Sequence, residues 1–546
     1  MSLPGTRRRP WSVVVAPALV GAVAFVLARE VLLPGQGFWD TGEFQAVPPA
    51  FGTAHPTGYP SYVLLGWLAS LVLGPAGEAA LRMNLLSAIL LATAAGLTVV
   101  LVRQLTGRSV LALAAGLLLA LTPIPWQLGA FADPHTLHLA FVAALLVLLV
   151  GWEGRRRAGT PRADRWLVAS AVLYGAMLGN HTLTILLAPG IAFFVVTVEP
   201  RILRRPRFVA LCAGALLGTV AALYLQLPIR AAMGAQLVYG RPDTWDGFWY
   251  IVLAEQFRGD LVDPFGDLGR KAVDLAKLAE AQLGVLAAAV PAAFVLTAAR
   301  RPRFALLTAT WLLVTCWFAA SYTNAVIDRY YLIPLLIAVA WLGVASGILV
   351  ELLAPLAERE RGAVPTGDAD AMDDAPPHGR ARLAASALAG TLAASLVLPA
   401  ALAAPVTASR VDLSRDTGAT DWSRWALEAM DADAVVVSWW SFSTPLWYRT
   451  VILGERPDVR VVDDRDLLDE DLGGVEDVIR ANLGARPVYL VRTPEEIGGL
   501  QATWVLEMIP DPTGVQPIYR VAGPRPATSR SAPSATAQGP PATMRA

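Results

Sequence analysis

The sequence predicts a polytopic α-helical membrane protein that carries a small soluble α/β domain after its last span. Of the 546 residues 55% are hydrophobic and 16% are charged, and the mean hydropathy is +0.50, which is too apolar for a soluble protein of this length. About ten apolar runs match the roughly 20 helical residues that cross a hydrocarbon core about 30 Å thick. Because helices satisfy their own backbone hydrogen bonds in lipid, we expect these runs to be helical.

Eleven apolar runs are predicted to span the membrane. They are 11–33, 84–104, 109–128, 137–152, 166–180, 181–198, 208–228, 276–298, 304–322, 330–353 and 383–404. A further run at 59–74 is short and begins in a stretch rich in proline and glycine. If 59–74 stays outside the bilayer, nearly every arginine cluster falls on the cytoplasmic side, as the positive-inside rule requires. We therefore expect 59–74 to form a juxtamembrane or re-entrant helix on the outer side, with the N-terminus in the cytoplasm.

The chain divides into three predicted parts. Residues 1–404 form the transmembrane domain, with a first outer loop at 34–83; residues 405–525 form an extracytoplasmic α/β domain; and 526–546, rich in Pro, Ser, Ala and Thr, form a disordered tail. Within the α/β domain, apolar runs at 432–440, 458–463 and 487–492 are typical of strands and are separated by helical patterns, which predicts a partly parallel sheet.

Charge and motifs exclude several function classes. The formal net charge is zero, which gives no electrostatic argument for a nucleic-acid partner. The sequence has no Walker A motif, GxSxG elbow, HExxH motif or Rossmann glycine fingerprint in a suitable context, so ATP-driven transport and the common hydrolase chemistries have no support. Cys212 and Cys316 both lie in apolar runs and indicate neither a disulfide framework nor a metal cluster.

The first outer loop contains FWDTGEFQAVPPAFGTAHPTGYP at 38–60, in which Asp40, Glu43 and His55 follow the first span directly. Carboxylates are costly near a membrane and need a reason to be there. Either carboxylate could act as a general base on a hydroxyl, as a metal ligand or as the partner of a developing cation. The alternative is a helix cap for the carboxylates and a loop-shaping role for His55.

The other polar residues also fall at the predicted outer ends of the spans. Asp133, His135 and His138 form a second polar cluster. Asp133 and His135 could bind a divalent ion together with Asp40, or the three residues of the cluster are hydrogen-bonded near the headgroups. Arg230 lies where a lipid phosphate would lie, with snorkelling as the alternative. The remaining candidates are His181, Trp245, Asp328, Arg329 and Tyr330.

The order of these motifs resembles the transmembrane-protein-260-like family of the GT-C glycosyltransferase superfamily, which includes protein O-mannosyltransferases. The first outer loop is followed by LRMNLLSA at 81–88, and further segments recur in the family's order. These segments are ADPHTLHLAF (132–141), GAMLGNHTLTILLAP (175–189), YLQLPIRAA (224–232), YGRPDTWDGF (239–248), DRYYLIP (328–334) and PLWYRTVILGERPDVRVVD (445–463). The chain departs from the family before LWY, where Trp440, Ser441 and Phe442 replace a polar Asp-Asn sequence.

The resemblance implies a GT-C architecture with outer juxtamembrane helices, an inverting transfer and a polyprenyl-phosphate-linked sugar as donor. It carries the catalytic role to Asp40, with Glu43 as its neighbour or substitute, and donor-phosphate contact to Arg230. It implies mannose as the sugar and a protein or glycan hydroxyl as the acceptor, and a divalent metal stays open. The residues expected to contact substrate are His55, Arg82, Asp133, His135, His181, Arg230, Trp245, Asp328, Arg329 and Tyr330.

Two functions from other classes compete with this one. A transporter or flippase of a lipid-linked or small polar substrate would use the acidic and histidine residues as a proton relay, and it predicts polar residues at mid-membrane. A noncatalytic assembly protein would act through its exported α/β domain, and deletion of 405–546 would then abolish function where Asp40→Asn would not.

Overall fold

The computed structural model describes residues 14–323, 326–362 and 377–526. The predicted tail, apart from residue 526, and most of the acidic insert at 362–379 lie outside the described residues. The chain divides into two units, each treated separately below. The membrane unit comprises Met1–Gln36, Phe44–Tyr322 and Asp328–Asp416, and the sheet unit comprises Gly37–Glu43, Thr323–Ile327 and Thr417–Ala546.

The first sixteen α-helices run from the N-terminus to the end of the membrane unit. They are α1 (Ala16–Glu30), α2 (Trp39–Ala50), α3 (Pro60–Val72), α4 (Ala79–Thr106), α5 (Ser109–Leu121), α6 (Pro123–Leu128), α7 (Pro134–Arg157), α8 (Asp164–Leu178), α9 (Ala188–Val198), α10 (Pro206–Ala232), α11 (Trp245–Val252), α12 (Leu268–Leu283), α13 (Val290–Arg300), α14 (Pro302–Ala319), α15 (Leu332–Gly362) and α16 (Pro377–Val411). Short 3₁₀ helices at Thr182–Leu187 and Ile327–Tyr331 precede α9 and α15. Proline at the start of α7, α10 and α14 suits the first helical turn, where the missing N–H has no partner to lose.

Seven helical segments in the described part of the chain are long and apolar enough to cross a membrane. They are Ala79–Thr106, Pro134–Arg157, Pro206–Ala232, Leu268–Arg300, Pro302–Ala319, Ile327–Leu353 and Arg382–Val411. Pro60–Val72, Ser109–Leu121 and Thr182–Val198 are shorter apolar helices. These findings confirm a polytopic helical membrane protein, while the count of eleven spans and the orientation stay predictions. At 13 residues α3 is roughly 20 Å long, shorter than a hydrocarbon core, and its place outside the bilayer stays a prediction.

The core of the membrane unit is built from long helices with small residues at their closest contacts. Helices α1, α4, α5, α7 and α15 supply most of the fully buried side chains. A Cβ at Gly116 of α5 would lie 2.6 Å from a Val99 methyl and 2.8 Å from the Ala95 carbonyl, so α5 approaches α4 too closely for a larger residue. Buried Trp341 of α15 donates its indole N–H to Thr308 of α14 at 2.9 Å, which satisfies a polar atom within the core.

The sheet unit is a five-stranded mixed sheet with short helices. Its strands are β1 (Val435–Ser438), β2 (Arg460–Val462), β3 (Val488–Val491), β4 (Trp504–Ile509) and β5 (Ile518–Pro524), in the order β2-β1-β3-β5-β4. Its helices are α17 (Gly418–Ala429), α18 (Trp440–Trp447), α19 (Asp464–Asp469), α20 (Val475–Asn482) and α21 (Pro494–Leu500). β1 pairs in parallel with β2 and β3, whereas β5 pairs antiparallel with β3 and β4. The partly parallel sheet predicted from the sequence is therefore confirmed, and two antiparallel strands are added to it.

Candidate functional site

The two acidic residues of the first outer loop lie at the start of α2. Asp40 is in the first turn and Glu43 follows one turn later, and their carboxylate oxygens lie within 4.8 Å of one another. Asp40 is partly exposed, whereas Glu43 is buried. The indole Nε1 of Trp440, at the start of α18, donates to Oδ1 of Asp40 at 3.4 Å. Of the two carboxylates, Asp40 is therefore the one within reach of a substrate.

Within the sheet unit, aromatic packing fixes the segment Gly37–Glu43 against α17 and α18. The Phe38 ring lies 6.0 Å from Trp422 and 5.3 Å from Phe442, between centroids. A Cβ at Gly42 would come within 2.5 Å of the Thr444 hydroxyl, so only glycine permits this approach. The acidic residues are thus held by a rigid hydrophobic contact with α17 and α18 and do not sit on a free loop.

Asp133 is the centre of a buried polar cluster in the membrane unit. It caps α7 by accepting the backbone N–H of His135 at 2.7 Å, and the His135 ring Nδ1 lies 3.0 Å from the same carboxylate oxygen. Arg329 approaches the second oxygen at 3.5 Å, and the Ser87 hydroxyl accepts the Asp133 backbone N–H at 3.1 Å. Burial opposes ionisation, but the neighbouring His135 and Arg329 outweigh it and lower the pKa of Asp133. An ionised carboxylate is thus kept inside the unit.

Asn84, from the LRMNLLSA segment, forms hydrogen bonds to several separate chain segments around this cluster. Its side-chain N–H groups donate to the carbonyls of Leu33 at 2.8 Å and Gly35 at 3.2 Å. Its oxygen accepts the Gln45 amide at 2.8 Å and the Ala132 backbone N–H at 2.9 Å. Because Ala132 immediately precedes Asp133, one fully buried amide sets the position of the capping carboxylate.

Three histidines, an arginine and a tyrosine line an open cavity in the membrane unit. The polar and aromatic lining comprises His135, His138, His181, Thr315, Phe318, Arg329 and Tyr330. The His135 and His181 rings lie 5.3 Å apart, and both contact Tyr330, at 5.3 Å and 5.8 Å between centroids. The arrangement offers N–H donors, one cation and aromatic faces, which suits a polar ligand with anionic character.

Arg230, at the end of α10, ties that helix to the chain that follows α2. Its Nη1 donates to the carbonyls of Phe51 at 2.7 Å and Gly52 at 2.6 Å, and its guanidinium lies 4.2 Å from the Phe51 ring centroid. Its Nη2 is buried and has no hydrogen-bond partner among the residues that the structure describes. Arg230 is therefore partly structural, and one nitrogen is left for a ligand.

Other predicted residues have surroundings that favour structural roles. The His55 ring packs edge-on against Tyr59 at 5.1 Å and at a tilt against Phe44 at 5.6 Å, and its role in shaping the loop stays a prediction. Arg82 donates to the carbonyls of Gly77 at 2.5 Å and Ser70 at 2.9 Å and so braces the α3–α4 connection.

The structure gathers only part of the predicted set in the cavity. His135, His181, Arg329 and Tyr330 line it, whereas Trp245 is 75% exposed at the start of α11 and Asp328 is exposed in the 3₁₀ helix before α15. His138 lines the cavity as well, three residues after His135 on one helix face. The positioning role of Asn84 was missed, because a buried amide inside an apolar helix gives a weak signal in sequence.

Comparisons with known proteins agree with this architecture. Residues 40–202 match the family model of the protein O-mannosyl-transferase TMEM260 N-terminal domain. The protein O-mannosyl-transferase TMEM260 of Mus musculus is 33% identical over 158 residues, which are 28% of this chain and 22% of the mouse protein. The chain thus matches about a fifth of the length of that relative. The predicted resemblance is confirmed for this segment.

Solved structures share the fold at low identity. ArnT from Cupriavidus metallidurans bound to undecaprenyl phosphate has a TM-score of 0.57 at 13% identity, covering 94% of this chain and 98% of that one. The archaeal oligosaccharyltransferase AglB from Archaeoglobus fulgidus, in complex with an inhibitory peptide and a dolichol-phosphate, has a TM-score of 0.50 at 13% identity, covering 94% and 75%. The A. fulgidus oligosaccharyltransferase in complex with Zn and sulfate has a TM-score of 0.50 at 14% identity, covering 92% and 73%. The fold is GT-C-like.

Proposed function

We propose that this chain, whose residues 40–202 match the TMEM260 N-terminal domain, is a membrane glycosyltransferase. It moves a sugar, mannose by family likeness, from a polyprenyl-phosphate donor to an acceptor hydroxyl on the outer face of the membrane. The observation that carries the proposal is the partly exposed Asp40 carboxylate, held at the start of α2 by a hydrogen-bond donor. The proposed topology keeps eleven spans, a cytoplasmic N-terminus and an extracytoplasmic sheet unit.

The proposed reaction is a single displacement with inversion. Asp40 takes the proton of the acceptor hydroxyl as its oxygen bonds to the anomeric carbon of the sugar. The bond between that carbon and the phosphate oxygen breaks, and the electron pair leaves with polyprenyl phosphate. Because phosphate is already a good leaving group, the protein mainly aligns the partners and neutralises the leaving charge. We assign that neutralisation to the buried Nη2 of Arg230.

The cavity in the membrane unit is the proposed place for the polar head of the donor. Arg329 supplies a cation whose own partner, Asp133, is ionised and buried with it. Histidine N–H groups can donate hydrogen bonds to sugar hydroxyls, and the Tyr330 ring can stack against a face of the sugar. The ArnT structure contains bound undecaprenyl phosphate, and the AglB structure contains a dolichol-phosphate. We propose that this chain uses a lipid of the same class.

A divalent cation fits the donor types at α2. Asp40 and Glu43 offer hard carboxylate oxygens within 4.8 Å of one another, which is the ligand class of Mg²⁺, Mn²⁺ and Ca²⁺. Bound there, such an ion would supply positive charge for the reaction. Glu43, being buried, is the residue we expect to hold it.

The proposed function is tested by measuring sugar transfer by the purified protein. Wild type, Asp40→Asn and Asp246→Asn are incubated with labelled polyprenyl-phosphate sugars and a membrane extract. Asp246 is the matched control, since it is an exposed carboxylate in the first turn of α11. We expect wild type and Asp246→Asn to consume a mannosyl donor and label an acceptor, and Asp40→Asn to do neither. Full transfer by Asp40→Asn would remove Asp40 from the reaction, and no consumption of any donor by wild type would favour transport or assembly.

A further inference from the structure

The indole N–H of Trp440 donates a hydrogen bond to Asp40, the residue that the proposed function names as the general base. Its Nε1 lies 3.4 Å from Oδ1 of Asp40, although the two residues are 400 positions apart in the chain. An indole N–H is a donor that cannot accept, so it favours the ionised carboxylate. A bond at this oxygen also orients the plane of the carboxylate. Long bonds of this kind shorten when substrate binds.

The Trp440 ring is itself held by a chain of contacts inside the sheet unit. It packs edge-on against Trp447 at 5.5 Å between centroids, and the Arg465 guanidinium lies 4.7 Å from the Trp447 ring. Arg465 is buried and pairs with Asp466 at 2.6 Å and Asp463 at 3.6 Å, the two residues that form the capping box of α19. The residues that follow β1 and β2 in the chain thus contact one another and support the indole that contacts Asp40.

We propose that Trp440 is a positioning residue for Asp40, so that the C-terminal part of the sheet unit orients the carboxylate of that same unit. The inference rests on the proposed function only in naming Asp40 as the base. It assigns to the C-terminal domain a direct role in the chemical step.

The neighbouring tryptophan provides a matched control. Trp439 and Trp440 are both half-buried at the start of α18. The Trp439 ring packs on Trp39 at 5.1 Å, but its Nε1 is buried and has no hydrogen-bond partner among the described residues. Trp439→Phe and Trp440→Phe therefore remove the same atoms from adjacent positions, and only the second removes a donor from Asp40.

The experiment compares the two variants as purified full-length protein in a transfer assay. Loss of a hydrogen bond to an ionised group should lower kcat for Trp440→Phe about tenfold, while both KM values stay within about twofold. Trp439→Phe should match wild type in both respects. Equal effects of the two variants, or a Trp440→Phe defect confined to KM, would overturn the proposal.

A second measurement keeps the contact testable if wild type transfers no sugar and the proposed function fails. The protein is labelled with 5-fluorotryptophan, and the ¹⁹F resonance missing from Trp440→Phe is assigned to Trp440. We expect the chemical shift of that resonance to differ between wild type and Asp40→Asn and to be the same in wild type and Asp246→Asn. A resonance that is identical in wild type and Asp40→Asn at every pH would rule out the contact, whatever reaction the protein catalyses.

Discussion

Replacing Asn84 with alanine should destabilise the membrane unit more than any other single amide deletion that the described residues offer. The variant loses four hydrogen bonds, to Leu33, Gly35, Gln45 and Ala132, all from one fully buried side chain. With about 1 kcal/mol net for each bond and some further cost for buried partners left unsatisfied, we expect a loss of about 4–5 kcal/mol. The backbone N–H of Ala132, the residue before Asp133, would lose its acceptor at the same time.

Asn180→Ala is the matched control for this prediction. Asn180 is equally buried, but it makes one side-chain hydrogen bond, to the Pro134 carbonyl at 3.1 Å, so we expect a loss of about 1 kcal/mol. Thermal denaturation of the purified protein in mild detergent ranks the two variants by the temperature at which half of the protein is unfolded. Equal shifts for Asn84→Ala and Asn180→Ala would refute the role of Asn84 as the hub of this cluster.

Three further predictions concern charged residues. Asp133→Asn removes the carboxylate that faces the buried Arg329 at 3.5 Å and should cost about 3–5 kcal/mol, whereas Asp328→Asn, at an exposed position, should change the denaturation temperature little. Burial, the largest effect, raises the pKa of Asp463 to about 7, so the folded state keeps a proton that the unfolded state releases near pH 4. Stability should therefore fall as pH rises from about 4 to about 7, by up to about 1.4 kcal/mol per unit, and the pH dependence should be flatter in Asp463→Asn; an unchanged slope would contradict this. Arg230→Lys cannot bind two carbonyls and a phosphate with a planar fork, so it should raise KM for the donor about tenfold, while Arg82→Lys leaves that KM unchanged.

The helices of the membrane unit were predictable because hydrophobicity and length are local properties. The positions at which these helices are interrupted were not predictable from the sequence. The run predicted at 181–198 begins as the 3₁₀ helix Thr182–Leu187 and becomes α-helical only at Ala188, beside Pro189. β4 and β5 were missed because Glu507 and Arg520 interrupt the apolar patterns of these two half-exposed strands.

The candidate residues were predictable as types but not as partners. A carboxylate and a histidine in ADPHTLH suggested a polar cluster, and the sequence also marked Arg329 as polar at an outer boundary. Only tertiary structure brings Arg329 to Asp133, across nearly 200 residues, or Trp440 to Asp40. Pairings of this kind depend on helix packing and on the register of a sheet, neither of which a single sequence encodes locally.

The central claim is tested most directly by the stoichiometry of a single turnover. Purified wild type and Asp40→Asn are mixed with one mannosyl polyprenyl phosphate and an acceptor identified in the membrane extract, and both products are measured by mass spectrometry. The proposed function predicts one free polyprenyl phosphate for each hydroxyl mannosylated, with inverted anomeric configuration, in wild type and neither product in Asp40→Asn. Release of polyprenyl phosphate without a glycosylated product, or equal yields from the two proteins, would contradict it.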